Sequence, residues 1–190
     1  MDELIERLEA LRQIIADENT AKRISQAAAF RVIGEYKQRI FVDGLDTDGA
    51  EIGQYSGNPF YINPNSPQLA AVATSGIKPE GKFGQTKFKN GKPHKTKYLK
   101  GGYAELRDLT GRQSEKVDLN FSGSLFNSIK VQDVSGVSYV SYTSPSLADV
   151  MRGQELHWRR TIATVSNKEQ EAGSEAARIE LLSILEDLDL

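Results

Sequence analysis

The chain has no cysteine and only two histidines, His94 and His157, among its 190 residues. The first absence removes disulfides, thiolate metal sites and cysteine nucleophiles together. The second excludes a histidine-rich metal site. Long apolar runs are missing: none approaches the length of a bilayer span, and the acidic N-terminus lacks the apolar core of a secretory signal. The expected location is the cytoplasm where the chain is made, or a particle assembled there, with no membrane partner. A large excess of one charge is also missing. The net charge is -2 at pH 7, so no global basic field draws the chain to nucleic acid.

Hydrophobic residues are also in short supply, at 38% with a mean hydropathy of -0.47. A single core is affordable, but part of the chain must be solvated or must bury itself on a partner. Length and composition fit one domain over residues 1–190 with an extended arm.

The charge that is present is unevenly placed. Residues 1–19 carry Asp2, Glu3, Glu6, Glu9, Asp17 and Glu18 against Arg7 and Arg12, and the C-terminal helix is likewise acidic. The middle carries Lys78, Lys82, Lys87, Lys89, Lys92, Lys95, Lys97 and Lys100 against Glu80 alone. One reading is a solvated basic loop. The other is that the acidic ends of one subunit meet the basic arm of a neighbour, a head-to-tail contact that can close into a ring. On that reading Lys82, Lys87, Lys89, Lys92, Lys95, Lys97 and Trp158 are candidate subunit-interface residues.

Periodicity predicts a helix over 2–16, with Leu4, Leu8, Leu11 and Ile15 on one side. A second helix, capped by Asn19 or Thr20, is expected to about Val42. Residues 54–100 are rich in Gly, Pro, Asn, Ser and Lys and read as an extended basic arm, with a loose hairpin across Asn90-Gly91. A short helix is expected over Tyr103–Leu109. Strands are expected over Lys116–Phe121, Ile129–Val134 and Val137–Tyr142, the last two joined at Ser135-Gly136. Leu147–Met151 begins a helical turn, and Arg159–Val165 reads as a short strand or connector. Ser166-Asn167-Lys168-Glu169 is a capping box that opens a final helix. The expected class is therefore α+β: N-terminal helices, a small antiparallel sheet with a long extended arm, and a C-terminal helix.

Motifs that would carry chemistry fail on inspection. Gly76 to Phe83 fits G-x-x-x-x-G-K, but Phe83 stands where a magnesium-binding Ser or Thr is needed, and Pro79 removes an amide from the cradle. Asp46-Thr47-Asp48-Gly49 lacks the spacing of a calcium loop and reads as a turn. His157-Trp158-Arg159-Arg160 reads as an anchor. No catalytic, cofactor-binding or metal-binding residue is assigned, and the expectation is a protein that is not an enzyme.

Ser122-Gly123-Ser124-Leu125-Phe126-Asn127-Ser128-Ile129 is the most distinctive stretch. Gly123 permits a tight turn, and one helical turn would point Leu125 and Ile129 at the same core. Gly123, Leu125 and Ile129 are the expected structural corner. The stretch, with Leu119 before it, resembles the L-x-x-T/S-G-x-L-x-x-S-I element of the tailed-phage neck and tail-completion proteins, the Mu-like virion-morphogenesis family. The tyrosine-bearing Val137–Tyr142 and the Arg160…Ser166-Asn-Lys-Glu169 close are similar to later elements of that family, with Ala163 and Thr164 where it has Phe and Gly. The order of elements agrees over about half the chain. The resemblance implies a structural virion protein that forms a ring at the head–tail junction. Its partners would be copies of itself and neighbouring portal, adaptor or tail proteins, with contact to DNA in the channel. The alternative is a nucleic-acid- or partner-binding module that uses the basic segment 78–100.

Overall fold

The structure, a computed structural model, describes residues 2–63, 82–87, 93–120 and 122–187. They fall into two compact units. Met1–Ala50 and Asp118–Leu190 form one; Glu51–Val117 forms the other. The architecture is α+β, with helices at both ends of the chain and two small antiparallel sheets. Among the described residues no helix is long and apolar enough to cross a membrane.

The first unit is built on helix packing. Helix α1 (Asp2–Ala16) is separated from α2 (Glu18–Phe41) by Asp17 alone. Asp17, rather than Asn19 or Thr20, is the cap: its carboxylate accepts the Thr20 amide at 2.8 Å. An acidic side chain here satisfies an orphan donor and also meets the positive end of the helix dipole. Packed against α2, a two-stranded hairpin, β4 (Ile129–Val134) and β5 (Val137–Tyr142), turns through Ser135-Gly136 with both residues at positive φ. That is the twist-matched two-residue hairpin geometry. Val137 and Tyr139 face outward; Ser138 is buried and Tyr142 reaches α2. Asp133 ties the hairpin to α2 by accepting from Ser138 Oγ and Gln26 and pairing with Lys22.

Helix α6 (Asn167–Glu186) packs along α2. The contact needs Gly173. A Cβ there would lie 2.6 Å from Val32 Cγ2, well inside van der Waals contact. The capping box at Ser166–Glu169 is present with both of its bonds.

In the second unit, β1 (Phe60–Ile62), β2 (Lys82–Lys87) and β3 (Pro93–Leu99) form a sheet in the order β1-β3-β2. The arm expected over 54–100 lies in this unit, and the two strands of its expected hairpin pair in register from Lys82↔Tyr98 to Lys87↔Pro93. Helix α3 (Gly102–Leu109) places Leu106 and Leu109 against Leu99, with Phe60, Ile62 and Tyr103 around them. The Leu69–Ala73 segment lies outside the described residues.

Two expectations need correction. Residues 116–120 are not a strand. Leu119 takes φ +49° and Asp118 Oδ1 accepts the Asn120 amide, so a local side-chain bond replaces a ladder. The Leu147–Met151 turn is part of a full helix, α5 (Pro145–Trp158). Pro145 at its first turn is pre-set for helix entry.

The corner forms one helical turn, α4 (Ser124–Ser128), between Gly123 and β4. Gly123 sits at φ +76°, a region that a residue with a Cβ resists. Leu125 and Ile129 are buried together. Ser128 donates its hydroxyl to the Leu125 carbonyl at 2.7 Å. Phe126 packs edge-on against Phe41 at 5.4 Å, with Lys37 Nζ 4.3 Å from its centroid. Burial, then the charge of Lys130, holds Lys37 below the usual lysine range. Truncating Leu125 leaves a cavity the corner has no way to refill. Leu125→Ala is therefore expected to lower stability by about 2–5 kcal/mol in denaturant unfolding, whereas Phe126→Leu should cost less. Unchanged stability in Leu125→Ala would remove the corner from the core.

Candidate functional site

The densest set of polar contacts lies at the C-terminal end of α2, where the connector 159–166 passes. Arg39 occupies the apolar stripe of α2, in step with Val32, Tyr36 and Ile40. Its guanidinium pairs with Glu169 at 2.5 Å and donates to the carbonyls of Leu45 (3.3 Å), Ile162 (3.1 Å) and Thr164 (3.0 Å). Glu169 is only 1% exposed. Its second oxygen accepts the Ser166 amide at 2.8 Å. One carboxylate therefore closes the capping box and neutralises a buried arginine.

The neighbouring groups hold the same connector. Tyr36 and Tyr142 share a hydroxyl–hydroxyl bond of 3.0 Å, and Tyr36 also donates to the Ala163 carbonyl. Glu155 Oε1 accepts the amides of Ile162 (2.7 Å) and Ala163 (2.9 Å). Arg159–Val165 is thus an irregular connector whose backbone groups are satisfied by side chains. Burial holds the Tyr36 phenol far above the ordinary tyrosine range, with the Tyr142 hydroxyl acting in the same direction. Burial also raises Tyr142.

Asp46 organises the turn expected at 46–49. It is buried, accepts the amides of Asp48 and Ala50, and meets Arg160 Nη1 at 3.3 Å. Thr47 bonds the Thr161 and Thr164 backbone. Between this turn and the start of α6 lies an open polar cleft of about 680 Å³, lined among others by Gln38, Asp43, Thr47, Thr164 and Lys168. Arg39 and Glu169, which also line it, already satisfy one another. Among the described residues no group of three or more His, Asp or Glu is placed to hold a metal ion.

The other sequence-derived sites fall as follows. Gly123, Leu125 and Ile129 come together as the corner. Lys82 and Lys87 lie on β2, and Lys95 and Lys97 on β3, with Lys95 opposite Gln85 and Lys97 opposite Phe83. Lys89 and Lys92 lie outside the described residues, as do residues 76–81 of the phosphate-loop-like stretch. Trp158 ends α5 in the first unit, half-buried, edge-on to His157 at 4.7 Å and donating to Gln154. Arg39, Glu155 and the Tyr36–Tyr142 pair escaped sequence reasoning. For Arg39 a signal exists: a charge inside an apolar helical stripe requires a buried partner.

No protein-family model, curated protein or solved structure matches this chain.

Breaking a buried pair strands a charge, so Glu169→Ala and Arg39→Ala are each expected to cost about 3–5 kcal/mol. The Arg39→Ala/Glu169→Ala double change should cost less than the two single changes added. Strict additivity in that cycle would mean the ions do not couple. The tyrosines give a pH test. Their folded pKa values lie above the unfolded value of about 10, so their contribution is complete below that pH and is lost as the pH rises through the folded values. Ultraviolet titration should show one tyrosine, absent from Tyr36→Phe, ionising only with unfolding, and a second ionising above the exposed ones. Ionisation of all seven tyrosines in the folded protein would contradict this placement.

Proposed function

We propose that the protein is a structural component of a tailed-phage particle, assembling as a ring at the head–tail junction. The observation that carries this reading is the coincidence of motif and structure at the corner. The residues that resemble the neck and tail-completion family, Gly123 to Ile129, form one device: a left-handed glycine, a single helical turn, and two buried apolar residues leading into β4. The polar network around Arg39 supports it in a second way. Its groups are committed to holding backbone, which suits a scaffold that presents surfaces. The candidate interface lysines Lys82, Lys87, Lys95 and Lys97 are carried by one hairpin, which suits a projecting contact element.

Mass measurement of the full chain under native conditions tests the reading. A closed oligomer of one defined size is expected, with neither nucleotide hydrolysis nor nuclease activity. A monomer that binds DNA with steep salt dependence would contradict it and favour a nucleic-acid-binding module on the 78–100 segment.

A further inference from the structure

Helix α1 is an amphipathic helix that leaves apolar side chains uncovered at Ile5 and Leu8. The sequence sets Leu4, Leu8, Leu11 and Ile15 at alternating four- and three-residue steps, the spacing of a helix-pairing seam. Yet Leu8 is 56% exposed and Ile5 is 50% exposed. Among the described elements α1 packs appreciably only against α2, its neighbour across Asp17. A 15-residue helix draws most of its stability from tertiary packing, so this face needs a cover.

The same unit carries a surface suited to it. On α5, Val150 is 46% and Leu156 is 76% exposed. Gly153 lies one turn from each, and a Cβ built there would meet nothing within 4 Å. The result is a shallow apolar dent between two exposed side chains. Its rim carries the exposed Arg152 and Arg159 against one exposed carboxylate, Asp149. Arg152 is paired only with Asp149, an exposed contact that is cheaply exchanged. The flanks of α1 carry Glu6 and Glu9 exposed beside Ile5 and Leu8, against one exposed cation, Arg12. The exposed stripe of α6, Ile179 and Leu182, is the poorer match, because Glu175, Glu180 and Glu186 outnumber Arg178 around it and carry the same sign of charge as Glu6 and Glu9.

We infer that α1 of one copy docks on the Val150–Gly153–Leu156 face of α5 in a second copy. The two surfaces differ, so the contact is head-to-tail and leaves one free α1 and one free α5 at the ends of any open chain. The inference deepens the ring reading by naming its contact.

Complementation of the full chain is the test. Leu8→Glu spoils α1 and keeps α5; Leu156→Glu spoils α5 and keeps α1. Both side chains are exposed, so both variants should melt at the wild-type temperature. Analytical ultracentrifugation should show wild type associating, each variant alone monomeric, and the equimolar mixture forming a one-to-one dimer and nothing larger. A mixture that stays monomeric overturns the docking. So does a Leu156→Glu protein that associates like wild type, which would mean that α1 pairs with α1 or with a different surface. If wild type forms a closed oligomer that both variants preserve, the docking falls and the ring reading stands. If wild type never associates, both fall.

Discussion

The buried contact between Arg39 and Glu169 is the constraint on which the first unit depends. Moving either ion out of water costs several kcal/mol, and their attraction alone does not reliably repay it. What makes the site tolerable is saturation. The guanidinium meets a carboxylate and three backbone carbonyls, and the carboxylate also takes a backbone amide. Those partners come from α2, the loop after it, the connector and the start of α6. Any other register of α6 on α2 would leave one of the two ions unpaired. We therefore read the pair as a device that selects one register, with packing at Gly173 and Val32 supplying the close fit.

The same logic extends to the neighbouring polar groups. Glu155, Asp46, Tyr36 and Tyr142 are polar, partly or wholly buried and close together along one connector, which is the usual setting for chemistry. Here each holds a backbone group or another side chain. Exposed apolar side chains stand elsewhere: Ile5 and Leu8 on α1, Val150 and Leu156 on α5, and Ile179 and Leu182 on α6.

Much of this was legible in the sequence, and the misses share a cause. Long periodic stretches placed α1, α2 and α6, and the Ser166–Glu169 capping box located the start of α6 to the residue. The β4–β5 hairpin was readable because two strand-like runs flank Ser-Gly. Misses came where a local side-chain bond decided the outcome. Asp17 took the cap from Asn19 and Thr20 by accepting the Thr20 amide. Asp118 turned an alternating stretch away from strand geometry. The corner was legible from Gly123 and the four-residue spacing of Leu125 and Ile129. The Arg39 network was not, because its charged partner is remote in sequence: 130 residues separate Arg39 from Glu169.

Native-state hydrogen exchange tests most directly the claim that this network is a locked scaffold. The amides of Ile162 and Ala163, held by Glu155, and of Ser166, held by Glu169, belong to an irregular segment that would exchange quickly if it were a mobile loop. The account predicts that all three exchange only through global unfolding, at the rate of the central α2 amides. Exchange at the rate of exposed loop amides would contradict it.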